Sequence, residues 1–166
     1  MSPRALDLIG TLARLGLAAV FLISGYIKAI DLDQTYVAVQ AYQVLPKAAI
    51  EPVSVLLPWF EIALGVLVLL GVGTRLVAVI SAGLLLLFIA GVAQAWARGL
   101  NIDCGCFGGG GQVAPDKTSY GTELLRDTGF LALAVWLIVR PTTLFSLDEW
   151  LGRNDGVRAT EEDPQT

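Results

Sequence analysis

Four apolar runs, each near the length of a bilayer crossing, dominate this chain. They cover roughly residues 8–30, 53–72, 76–97 and 121–139. About 20 residues of helix, rising about 1.5 Å each, cross a hydrocarbon core of about 30 Å. Backbone in lipid must satisfy its own polar groups, which points each run to helix. Of the 166 residues, 55% are hydrophobic and 16% charged, more apolar surface than a soluble globule of this size can bury. The expected fold class is therefore all-α: a polytopic membrane protein whose residues 1–140 form a four-helix transmembrane bundle. The fourth run is the weakest, since Thr128 to Val139 carries no charge but is only about 12 residues long. It must extend back through Glu123, Arg126 and Asp127.

The first run, with Arg4 before it, has some features of a secretory signal. Arg14 interrupts it and no clear cleavage site follows, so a retained helix is the better reading. Between the first two runs lies a polar loop, Asp31 to Pro52, with Pro46 and Pro52 as breakers. A short interfacial helix is expected around Leu32–Gln43, anchored by Tyr36 and Tyr42. The tight turn Gly71 to Arg75 makes the second and third helices antiparallel neighbours. Residues 141–166 read as a tail, amphipathic over Leu144 to Leu151 and disordered at its acidic end. Arginines at Arg4, Arg14, Arg75 and Arg140 tilt the charge balance toward cytoplasmic termini. The loop after the third helix then faces away from the cytoplasm. No basic patch with interleaved aromatics is present, which excludes a nucleic-acid binder.

That loop holds both cysteines, in Asp103-Cys104-Gly105-Cys106-Phe107-Gly108. Two thiols one residue apart can close a very small ring, and Gly105 permits backbone angles that a side chain resists. Such a bond is expected to be strained and exposed, and so a better oxidant than a structural bridge. Cys104 is the expected resolving thiol. Gly108 to Gly111 would let the loop move or let a partner's backbone approach. Two other readings stand beside redox exchange. The pair can be a local staple, although closing so short a loop stabilises little. It can also hold Cu(I), a soft ion, with Asp103 adding an oxygen. A zinc site needs more ligands, and the chain has no histidine. No resident metal is expected.

Several charges lie at the depth of that loop. Lys28 is near the outer end of the first helix, and Glu61 sits roughly 12 Å into the second. Ionisable groups at membrane depth normally face the bundle and pair. Lys28 with Glu61 is the first expected pair, and Glu123 with Arg126, spaced i and i+3, the second. Such a cluster can move protons during thiol exchange or simply lock the helices in register. Gly16, Gly25 and Gly65 are expected at close helix contacts.

Three segments carry a family resemblance: Phe21 to Lys28, Leu57 to Gly65 with Pro58 and Glu61, and Asp103 to Gly108. They resemble the MauE/DoxX family of redox-associated membrane proteins, the MauE branch in particular, over about residues 8–140. The resemblance implies a four-helix membrane protein that handles thiols and disulfides outside the cytoplasm, alongside a thioredoxin-like partner. Membrane disulfide oxidases such as DsbB are similar in helix count but use two cysteine pairs, whereas this chain has one. A quinone is the candidate electron carrier, or else the partner supplies the second pair. The rival reading is a non-enzymatic assembly factor whose cysteines staple a docking loop.

Overall fold

The computed structural model describes residues 3–114, 118–141 and 143. The expected amphipathic and disordered tail segments lie outside the described residues. Among the described residues five helices run in order: α1 (Pro3–Ile30), α2 (Leu32–Ala41), α3 (Lys47–Leu70), α4 (Thr74–Ala97) and α5 (Tyr120–Val139). A two-stranded antiparallel ribbon, β1 (Ile102–Asp103) and β2 (Gly111–Gln112), closes the loop between α4 and α5.

Three helices, over Ala5–Ile30, Lys47–Leu70 and Thr74–Ala97, are long and apolar enough among the described residues to cross a membrane. Their outward faces carry large apolar side chains such as Leu56, Phe60, Leu76 and Leu87, which only lipid or a partner can cover. This is a membrane protein. α5 does not join those three, because Glu123, Arg126 and Asp127 occupy its first two turns.

α3 starts at Lys47, six residues ahead of the expected 53, with Pro46 at its N-cap. Pro52 is carried inside the helix and does not break it. It sits in the second turn, where its missing N–H leaves one first-turn carbonyl without a helical donor. At the other end Gly71 adopts φ 67°, and its N–H donates to the carbonyls of Leu67 and Val68. That left-handed cap satisfies the last turn and reverses the chain into α4.

α1 packs mainly on α3, and α4 on α5. A Cβ on Gly25 would lie 2.8 Å from the Pro58 carbonyl oxygen, and one on Gly65 would lie 2.8 Å from Leu22. Only hydrogen fits between the helices at these two points. The close approach brings Lys28 of α1 beside Glu61 of α3. The core has two parts. One gathers Leu17, Phe21, Leu64, Val68, Ala78, Leu85 and Leu137 across four helices. The other surrounds the cysteines with Ala41, Val92, Ala95, Ile102 and Tyr120.

Candidate functional site

The loop after α4 lies on α2. Gly110 has φ 104°, and a Cβ there would come within 2.5 Å of the Ala38 Cβ; Gly105, at φ 69°, would meet the same atom at 2.9 Å. These glycines therefore serve a close approach, and the backbone that approaches is the chain's own α2. Polar ties hold the contact. Gln34 Nε2 donates to the Gly110 carbonyl at 2.7 Å, and the Tyr42 hydroxyl donates to the Cys104 carbonyl at 3.0 Å. The Asp103 carboxylate accepts from the N–H groups of Gly105 (3.4 Å) and Gly110 (3.3 Å). From α5, the Tyr120 hydroxyl donates to the Leu100 carbonyl and accepts from the Ile102 N–H.

Both cysteines are free thiols, and both are buried, 8% and 9% exposed. The expectation of an exposed pair is thus overturned. α2 covers one side of the loop, while Phe107 packs edge-on against Phe130 and under the Arg126 guanidinium, 4.9 Å from the ring centre. These contacts leave Phe107 half-buried.

The two sulfurs are unequal. The neighbouring Cys106 draws the Cys104 thiol below its ordinary acidity constant. Burial opposes this shift, while an N–H of Arg126, 3.7 Å from the Cys104 sulfur, supports it. Cys106 is pushed well up by its neighbour Cys104 and by burial. Burial likewise raises Tyr42, so its hydroxyl stays a donor.

Around the sulfurs stand two ion pairs. Lys28 Nζ lies 2.8 Å and 2.9 Å from the two Glu61 oxygens, both groups buried, as the shared depth of the two residues led one to expect. Ser24 bridges this pair to the loop: its Oγ accepts from Lys28 at 2.6 Å and donates to the Cys106 carbonyl at 2.8 Å. The second expected pair does not form. Arg126 Nε donates to Asp127 Oδ1 at 3.1 Å, and no ion pair joins it to Glu123 among the described residues. An i, i+3 partner was available, but Glu123 points at Cys104 and the guanidinium turns over Phe107 toward the same sulfur.

Asp103, Cys104 and Glu123 each bring a donor atom within 4.8 Å of the other two, the spacing of a metal centre. The guanidinium beside that sulfur opposes a second cation, and both Asp103 oxygens already accept from backbone. The set suits proton sharing better than a metal. All the predicted site residues (Lys28, Glu61, Asp103, Cys104, Gly105, Cys106, Phe107, Gly108, Glu123 and Arg126) meet at one end of the bundle, with Gly108 Cα facing Ile27. Sequence reasoning passed over Ser24, Gln34, Tyr42 and Asp127 as site residues. Asp127 carried a signal, a carboxylate at helical spacing i+4 from Glu123.

The family described as methylamine utilisation protein MauE matches residues 6–140, which takes in every one of these residues. The chain belongs to the MauE family. A MauE-family relative, the methylamine utilization protein MauE of Paracoccus denitrificans, is 36% identical over 98 residues. That alignment spans 58% of this chain and 53% of the relative, so only about half of the relative's length is matched. No solved structure matches the chain.

Proposed function

We propose that this MauE-family protein is a multi-pass membrane thiol–disulfide protein that exchanges electrons through Cys104 and Cys106 with an extracytoplasmic thioredoxin-fold partner. In this reading α5 is a fourth crossing whose charged first turns are sheltered by the bundle, and α2 lies at the interface. The termini face the cytoplasm and the cysteine loop faces away, where disulfides persist. The family description and the relative's name suggest methylamine utilisation as the setting.

One observation carries the proposal: two free thiols lie one residue apart, and an N–H of Arg126 reaches the sulfur of Cys104 at 3.7 Å. Such asymmetry makes Cys104 the thiolate that attacks a partner disulfide when the pair is reduced, with Cys106 resolving. This assigns the roles the other way round from the sequence expectation. Neither thiol needs a metal for this step, which leaves the pair oxidised; a quinone, an oxidant, has a part only in the reverse direction, where a partner dithiol has reduced the pair.

Burial of both thiols favours one alternative, an accessory subunit whose cysteine loop is a docking element. Substitution separates the two. With Cys106→Ser, a mixed disulfide between Cys104 and a partner should accumulate in cells and be visible on non-reducing gels. If the double variant Cys104→Ser with Cys106→Ser leaves partner thiols as oxidised as in wild type, the exchange reading is wrong and the accessory reading takes its place.

A further inference from the structure

Asp127 is 3% exposed, yet its Oδ2 has no hydrogen-bond partner among the described residues. A buried carboxylate oxygen without a donor is costly unless something reaches it. It lines a cavity of about 10 Å³ together with Ser24, Glu61, Cys106, Phe107 and Phe130, room for about one water. Leu85 and Phe88 of α4 add only apolar wall. The cavity therefore joins an unsatisfied proton acceptor to the less acidic of the two thiols.

We propose that Asp127 accepts the Cys106 proton, through one water in this cavity, when Cys106 resolves a mixed disulfide on Cys104. This rests on the exchange reading above and names the acceptor it lacks. Cys104 thiolate attacks the partner disulfide, forms the Cys104–partner bond and releases one partner thiolate. The Cys106 S–H then passes its proton to Asp127 while its sulfur attacks Cys104. The Cys104–Cys106 bond forms, the second partner thiolate leaves, and Asp127 ends as the acid. The dithiol loses two electrons and the partner disulfide gains them.

The other groups around the sulfurs are less suited. Glu61 of α3 already receives Lys28 of α1 on both oxygens. Glu123 is beside Cys104, Asp103 holds backbone N–H groups, and Tyr42 donates to a carbonyl. Arg126 cannot accept a proton, and it already occupies Oδ1 of Asp127. That leaves Oδ2 without a donor, on a residue that lines the same cavity as Cys106. Once Cys104 is bonded to the partner it no longer carries the charge that disfavours ionisation of Cys106, and the transfer becomes easier.

The test uses the full chain in detergent micelles, reduced and mixed with dithiodipyridine, a small neutral aromatic disulfide. Wild type should release two thiopyridones per chain, the second as Cys106 resolves. In Asp127→Asn the ratio of second to first rate at neutral pH should fall about 100-fold, the low end of general-base effects, and should climb with pH as hydroxide takes the proton instead. Asp127→Glu should restore the wild-type profile. An unchanged ratio, or both phases slowed alike with the pH profile kept, overturns the proposal. Should Asp127→Asn not fold, the wild-type second phase decides: equal rates in H2O and D2O overturn it. A wild-type chain that never forms the Cys104–Cys106 bond sinks the exchange reading itself, a separate outcome.

Discussion

Two ion pairs lie within one end of this bundle, and they are built for different work. Lys28–Glu61 joins α1 to α3, with the lysine reaching both carboxylate oxygens and the Ser24 hydroxyl. Every strong donor and acceptor there is used. Arg126–Asp127 joins neighbours on α5, uses one carboxylate oxygen, and leaves the other bare. A second nitrogen of the arginine reaches the Cys104 sulfur. A saturated buried pair holds helices in register, because breaking it strands a charge in low dielectric. An unsaturated pair beside a thiol keeps capacity for a proton. The same charges thus act as a fastener in one place and as reaction machinery in the other.

Removing half of the saturated pair should have the largest effect. Glu61→Ala leaves Lys28 buried without its partner and should cost about 3–5 kcal/mol. A denaturant titration of the purified protein in micelles measures it. The double change Lys28→Met with Glu61→Leu should recover most of the loss; if it does not, the pair is more than a fastener and the contrast with Arg126–Asp127 breaks.

A smaller effect is expected from Gly25→Ala. The new methyl meets the Pro58 carbonyl oxygen and Ile62 at 2.8 Å, so α1 and α3 must separate. Overpacking of this kind costs about 1–3 kcal/mol and should show in the same titration. Loss of the Lys28–Glu61 contact should follow, while thiol reactivity at Cys104 stays close to wild type.

The smallest stability change belongs to Arg126→Gln, about 0–1 kcal/mol for a partly exposed pair. Its signature is chemical. The guanidinium helps hold the Cys104 thiol below its ordinary acidity constant, so its removal moves the thiolate midpoint to higher pH. At neutral pH the thiolate fraction then falls, and alkylation of Cys104 should slow roughly threefold to tenfold. Rates that do not change would place Arg126 with the fasteners.

How far these features could be read before the fold was known differs from residue to residue. Lys28 and Glu61 were paired from depth alone, since a charge inside an apolar run needs a partner and the two runs place theirs at a similar level. Gly25 and Gly65 were legible for the same kind of reason: small residues in apolar helices mark close crossings. Arg126 was assigned to Glu123 because helical spacing allows it, but the spacing is silent about Phe107 and the sulfur that draw the guanidinium elsewhere. The glycines after Cys106 looked like freedom of movement. They turned out to make room for Ile27, Asp103, Ala38 and Val37, which no local pattern announces.

The order and apolar length of the long helices, the membrane, and the adjacency of the two thiols follow from the chain alone, because hydrophobic runs and neighbouring cysteines are local facts. The burial of those thiols, the unequal character of Cys104 and Cys106, and the bare oxygen of Asp127 belong to the tertiary structure. They arise where α1, α2, α5 and the loop converge, and electrostatics at such a junction depends on distances between residues far apart in sequence.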